Sequence, residues 1–176
     1  MTTRLEIVAP GLPVAQARHR DRVVQAGGRV FVQRYTPRET RVWREAVLRA
    51  ARSTPGYPAE PWSGAVRLGM EAFFERPQRL CRKCDPQGPI RKNNAPDSDN
   101  LVKAVMDALT PPKVKRTGNA AIDEIKKRES RRGYLWLDDG QVHLGPVDRW
   151  YAAKGCAPGV IIIVELIDPH REDAPC

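Results

Sequence analysis

The segment from Asp99 to Leu109, DNLVKAVMDAL, constrains the fold more than any other, because at roughly 100° per residue it sorts into two unlike helix faces. Asp99, Asn100, Lys103 and Asp107 fall within about one quarter of the circumference, and Leu101, Val105, Ala108 and Leu109 lie opposite. Such a helix buries one stripe and holds the other open for polar chemistry. The chain must therefore offer a surface to that apolar stripe.

The flanking sequence offers strands. Leu5, Ile7 and Ala9 alternate ahead of Pro10-Gly11, and Ala65 to Phe74 alternates through Val66, Leu68, Met70 and Ala72. Gln141 to Ala152 and Val160 to Ile167 are two further strand-like runs. Residues 23 to 35 read as a hairpin folded at Gly27-Gly28, a pair suited to positive φ. Thr36-Pro37-Arg38-Glu39 predicts a helix start, with Thr36 as N-cap, Pro37 in the first helical position and Glu39 completing a capping box. That helix would bury Trp43, Ala46, Val47 and Ala50 and leave Arg38, Arg41, Arg44, Arg49 and Arg52 toward water.

Two stretches interrupt this order. Residues 76–96 have no regular period, and residues 110–134 are basic, with a short helix expected over Ala120 to Ser130. A polar tail fills 168–176. The pattern predicts one mixed α/β (α+β) domain over 1–176, a small sheet covered by helices, with insertions at 76–96 and 110–134.

Lys and Arg number 30 against 21 Asp and Glu, giving a formal charge of +9. A polyanionic partner accounts for that excess, and surface charge kept for solubility accounts for it equally well. Hydrophobic residues at 41% exclude a disordered chain. No run approaches the 18 or so apolar residues of a membrane span, and the start, MTTRLEIVAPGLP, lacks a signal-peptide core, so a cytoplasmic protein without a membrane partner is expected. Cys81, Cys84, Cys156 and Cys176 are too scattered for a disulfide framework. Cys81-x-x-Cys84 is half of a zinc site by spacing, which neither Cys156 nor Cys176 completes in a standard way; the alternative is two exposed thiols in a loop.

The chemistry-bearing stretch is Pro96-Asp97-Ser98-Asp99-Asn100-Leu101-Val102-Lys103, two carboxylates at a loop-to-helix junction with a lysine one turn on. Magnesium takes one or two carboxylates and fills its remaining positions with water and phosphate oxygens. If 97–99 is extended, Asp97 and Asp99 lie on one side and Lys103 rises over the same spot, where a cation could stabilise charge on a phosphate. Trp136-Leu137-Asp138-Asp139 offers another carboxylate, Asp139 being preferred over Asp138, so the expected cage is Asp97, Asp99 and Asp139. No His or Cys is needed, because a metal can acidify its own water. The competing reading makes Asp97 and Asp99 caps, Asp99 and Lys103 an i,i+4 pair, and Asp139-Gly140 a turn.

With Asp107-Ala108-Leu109 and Trp136-Leu137-Asp138-Asp139-Gly140-Gln141-Val142, the chain resembles the RusA family of Holliday-junction resolvases: D-x-D-N-L-x-K, a DAL helix end, and W-x-D-D-x-Q-V, in that order. The resemblance implies a small α/β homodimer that binds four-way DNA junctions and cuts paired strands with Mg2+, for which Mn2+ can substitute. It places catalytic roles on Asp97, Asp99, Lys103 and Asp139. DNA contact is expected from Arg18, Arg20 and Arg22, and from Lys113, Lys115, Arg116, Lys126, Lys127 and Arg131 in the second insertion. A non-catalytic basic binding module, and a metal nuclease acting on forks or flaps, are the competing functions.

Overall fold

The computed structural model describes residues 3–17 and 20–167. In chain order the elements are β1 (Arg4–Pro10), β2 (Arg20–Ala26), β3 (Arg29–Tyr35), α1 (Arg38–Ser53), β4 (Val66–Phe74), β5 (Ile90–Arg91), α2 (Ser98–Leu109), α3 (Ala120–Arg131), β6 (Val142–Tyr151) and β7 (Gly159–Leu166). Five strands make a mixed sheet in the order β1-β7-β4-β6-β5. β7 is antiparallel to both β1 and β4, whereas β4 and β6 run parallel. Parallel neighbours need a crossover rather than a tight turn, and that crossover carries α2.

Alternation decides which sheet face is covered. Leu5, Ile7 and Ala9 of β1, Val66, Leu68, Met70, Ala72 and Phe74 of β4, and Val160, Ile162 and Val164 of β7 are all buried. The register sets Ile7 and Met70 on either side of Ile162, and Leu5 and Leu68 on either side of Val164. Trp43, Val47 and Ala51 of α1 and Leu101, Val105, Ala108 and Leu109 of α2 close the same core. The predicted apolar stripe of α2 is therefore the buried one, and its polar face is left for the site.

Several expectations are corrected. Pro37 keeps an extended backbone (ψ 147°) and is itself the N-cap position, so α1 starts at Arg38 and Thr36 makes no capping bond. The buried stripe is Thr40, Trp43, Val47 and Ala51, not one through Ala46 and Ala50. Arg44, expected in water, is half-buried because α1 packs against α2. The hairpin turns at Gly27 (φ 57°) and Gly28 (φ 74°) as expected, but β2 and β3 form a separate two-stranded sheet with Val23, Val30, Phe31 and Val32 exposed. Asp139–Gln141 is a 3-10 turn, so the strand expected from Gln141 starts at Val142.

The first insertion is anchored. Arg76 donates to Ala152 O at 2.9 Å, to Pro86 O at 2.7 Å and to Gly88 O, and Ile90–Arg91 adds an edge strand beside β6. Lys154 Nζ donates to Arg82 O at 2.7 Å and Asp85 O at 2.8 Å. Arg18, His19 and the tail 168–176, with His170 and Cys176, lie outside the described residues.

Candidate active site

Asp97 is the N-cap of α2, with an extended backbone (φ −70°, ψ 147°), yet its side chain makes no capping hydrogen bond. Asp99 follows in the first turn, and Lys103 lies one turn further along. All three side chains are exposed. Among the described residues no ion pair joins Asp99 to Lys103. The cap and surface-pair readings each require a contact that the structure does not make. Two free carboxylates two residues apart at a helix start suit a hard cation, whose other positions go to water and phosphate oxygens.

The turn that delivers Asp97 is held from beneath by two cations that sequence reasoning missed. Lys92 is buried, and its ammonium donates to Asn94 O at 2.9 Å, to Asn94 Oδ1 at 2.7 Å and to Ala95 O. Arg149 donates to Asn94 O at 2.9 Å and Pro96 O at 2.6 Å, and the Tyr151 hydroxyl donates to Asn94 Oδ1 at 3.0 Å. The Lys92 ammonium also sits over the Phe74 and Tyr151 rings, 4.9 and 5.6 Å from their centroids. Burial pulls its pKa below the ordinary lysine value; Tyr151 opposes that shift and Arg149 adds to it. The only signal in the sequence is proximity to the Pro96-Asp97 junction.

A third carboxylate, Asp139, sits at the other end of α2. Leu135 N–H donates to Leu109 O at 3.1 Å, tying the returning chain to the helix end. Trp136 is fully buried, and its indole N–H donates to Thr110 Oγ1 at 2.7 Å, while the Thr110 hydroxyl lies 2.5 Å from Asp139 Oδ1. Asp138 is engaged elsewhere: it accepts from Gly140 N–H at 2.9 Å and closes a capping box with Gln141. Asp139 is exposed.

Distance separates these two groups. Asp99 and Thr110 are eleven residues apart, a rise of about 16 Å, so the carboxylates of Asp99 and Asp139 stay on the order of 6 Å or more apart. Ligands of one Mg2+ at 2.0–2.1 Å can be no more than about 4 Å apart. Within one chain, Asp97 and Asp99 both lie at the start of α2, and Asp139, at its far end, does not reach them. Correspondingly, among the described residues no three His, Cys, Asp or Glu side chains gather as a metal site.

Asp107, on the same face as Lys103, pairs with Arg44, which also donates to Gln16 Oε1 at 2.5 Å. That network ties α1 to α2 and gives Asp107 a structural task. Beyond Thr110, the second insertion encloses a cleft of about 780 Å³ lined by Lys113, Lys115, Arg116, Lys127, Arg131 and Asp139, among others. Lys126 is not in that lining. α3 buries no residue and is fixed at its start, where Asn119 Oδ1 accepts from Ala121 N–H and Ile122 N–H. Hydrogen bonds from the Thr117 hydroxyl and backbone hold Asp123 below the usual carboxylate range. At the far end Arg52 donates to Gly133 O at 2.9 Å and the Tyr57 hydroxyl to the same oxygen at 3.1 Å.

Arg22 lies on the hairpin, bonded to Gln33 at 2.9 and 2.7 Å and stacked 5.7 Å from the Tyr35 ring centroid. Arg20 contributes its backbone to the same hairpin, opposite Tyr35, and Arg18 lies outside the described residues. Cys81, Cys84 and Cys156 are exposed free thiols. The Lys154 contacts bring the loop of Cys156 against that of Cys81 and Cys84.

Compared with known proteins, residues 10–117 match the family model described as endodeoxyribonuclease RusA. The match includes Asp97, Asp99 and Lys103 and stops short of Asp139. No curated protein matches the chain. More than half of the chain lies within the matched span, with a mixed α+β fold that presents the motif helix on a sheet, and the chain belongs to the RusA endodeoxyribonuclease family.

Proposed function

We propose that this protein is a Mg2+-dependent endonuclease that resolves four-way DNA junctions as a homodimer. The observation that carries this reading is the pair of unengaged carboxylates, Asp97 and Asp99, held at the start of α2 in a chain of an endodeoxyribonuclease family. The helix length supplies the reason for a dimer. Asp139 is too far away to complete the site of its own chain, so Asp139 of the partner subunit is assigned to it, and two such sites related by a two-fold axis suit paired cuts.

Asp97 and Asp99 would hold Mg2+ or Mn2+, and the chemistry the cation supplies when bound is Lewis-acid in kind, charge at the scissile phosphate and an acidified water. Lys103, on the same helix face, stabilises the negative charge that develops on the phosphate oxygens or the leaving oxygen. Arg149 and Lys92 keep the Asp97 turn in place, which preserves the alignment that phosphoryl chemistry needs. The cations of the 780 Å³ cleft, Lys113, Lys115, Arg116, Lys127 and Arg131, offer a phosphate track that leads away from Asp139.

The test is single-turnover incubation with a labelled synthetic four-way junction, with matched duplex and fork controls, with and without Mg2+. Paired, symmetric nicks confined to the junction and dependent on Mg2+ are expected. Cutting of forks in preference to junctions would transfer the assignment to another branched substrate, and binding without cleavage would make the protein a DNA-binding module.

A further inference from the structure

We infer that Thr110, anchored by Trp136, is a positioning residue that sets the orientation of the Asp139 carboxylate; this rests on the proposed role of Asp139 as a metal ligand. Proton counting gives each hydrogen bond its direction. An indole N–H can only donate, so across the 2.7 Å contact the Thr110 oxygen accepts. The hydroxyl keeps a single proton, with two acceptors in reach: Met106 O at 2.8 Å and Asp139 Oδ1 at 2.5 Å. Met106 O already accepts from the backbone N–H of Thr110 at 2.9 Å, the bond that closes α2. The carboxylate is the stronger acceptor, since a charge-assisted bond is roughly twice a neutral one. The Thr110 hydroxyl therefore donates to Asp139 Oδ1.

Burial fixes the geometry of this relay. Trp136 is 0% exposed, so its indole cannot turn away from Thr110 without breaking the core. Asp139 itself is exposed, and the Thr110 hydroxyl is the hydrogen-bond donor that restrains its rotamer. With Oδ1 held by Thr110, Oδ2 is the oxygen left to face a cation, in the manner of ligands oriented by an outer hydrogen-bonding partner.

The experiment measures Mn2+ binding to the full-length protein without DNA, by electron paramagnetic resonance of the free ion, for wild type, Thr110→Val, Thr110→Ser, Trp136→Phe and Asp139→Asn. Thr110→Val should weaken Mn2+ binding about tenfold or more, the usual effect of losing an outer-sphere partner, and raise the Mn2+ concentration for half-maximal junction cleavage in parallel. Thr110→Ser, which keeps the hydroxyl, should stay within about twofold of wild type. Trp136→Phe should shift binding in the same direction as Thr110→Val by less. Junction binding in EDTA should be unchanged in Thr110→Val, Thr110→Ser and Trp136→Phe. Wild-type Mn2+ affinity for Thr110→Val, beside lost affinity for Asp139→Asn, would overturn the positioning role and leave the ligand assignment standing. Undiminished affinity for Asp139→Asn would instead remove the ligand assignment. Should circular dichroism show Thr110→Val unfolded, Trp136→Phe decides: unchanged Mn2+ affinity there overturns the inference.

Discussion

Replacing Lys92 with Met tests whether the turn beneath Asp97 is held as described, because Met keeps an apolar stem over Phe74 and Tyr151 and removes the ammonium. Three donated hydrogen bonds disappear, yet two of the acceptors keep another donor: Asn94 O retains Arg149 and Asn94 Oδ1 retains Tyr151. Only Ala95 O is left bare, at an exposed residue that water can reach. A bond from a charged donor contributes about 1.5–3 kcal/mol, partly offset by relief of the desolvation that lowers the Lys92 pKa. The net loss comes to about 1–2 kcal/mol, which for a chain of this length lowers Tm by about 2–8 °C. Cleavage should fall further, tenfold or more, because a misplaced Asp97 loses alignment rather than stability. Removing Arg149 as well strips Asn94 O and Pro96 O of these donors, so the double variant should exceed the sum of the singles by roughly 1 kcal/mol. Thermal melts and single-turnover cleavage below the melting range provide both readings. A Lys92→Met protein with wild-type Tm and wild-type cleavage would refute the clamp.

Asp97→Asn and Asp99→Asn should each abolish junction cleavage while gel-shift binding in Ca2+ stays at wild-type strength or better, since a neutral amide is a poor Mg2+ ligand and phosphate contacts come from cations; Asp138→Asn, altering only a turn, should do less harm. Lys127→Ala with Arg131→Ala should flatten the salt dependence of junction binding by about 0.9 in log–log slope for each phosphate no longer neutralised; an unchanged slope would make the α3 face of the cleft a bystander. Tyr57, whose pKa burial raises from 10.0 to about 12 despite the lowering effect of Arg52, contributes stability that is complete below the unfolded pKa and lost as pH rises through the folded one. Urea melts should show that loss between pH 10 and about 12 in wild type and not in Tyr57→Phe.

Local periodicity is legible in this sequence, and contacts between distant segments are not. The two-faced pattern of Asp99 to Leu109 identifies the core stripe of α2 because burial follows helix geometry directly, and Gly27-Gly28 marks its turn because positive φ favours glycine. Arg44 escapes such reading because its fate depends on Asp107 and Gln16, which only the packing of α1 on α2 brings near. Lys92 and Arg149 resemble any surface cation in sequence; their work appears once β5 and β6 set them under the 94–96 turn. The expected cage of Asp97, Asp99 and Asp139 joins residues by motif order alone, and motif order carries no information about the rise of the helix between them. The capping box that engages Asp138 and the hydrogen bond that Asp139 accepts from Thr110 are visible only in the fold.

One metal site built from Asp97 and Asp99 of one subunit and Asp139 of the other is tested most directly by mixing two inactive variants. Asp99→Asn and Asp139→Asn chains carrying different tags are coexpressed, and the mixed dimer is purified through both tags and given a labelled four-way junction with Mg2+. In a shared-site dimer both lesions fall in one site and the other site is intact, so the mixed dimer should nick one strand of the junction while each parent dimer stays inactive. A mixed dimer as inactive as its parents, at full junction binding, would place each site within a single chain and contradict the shared-site assignment.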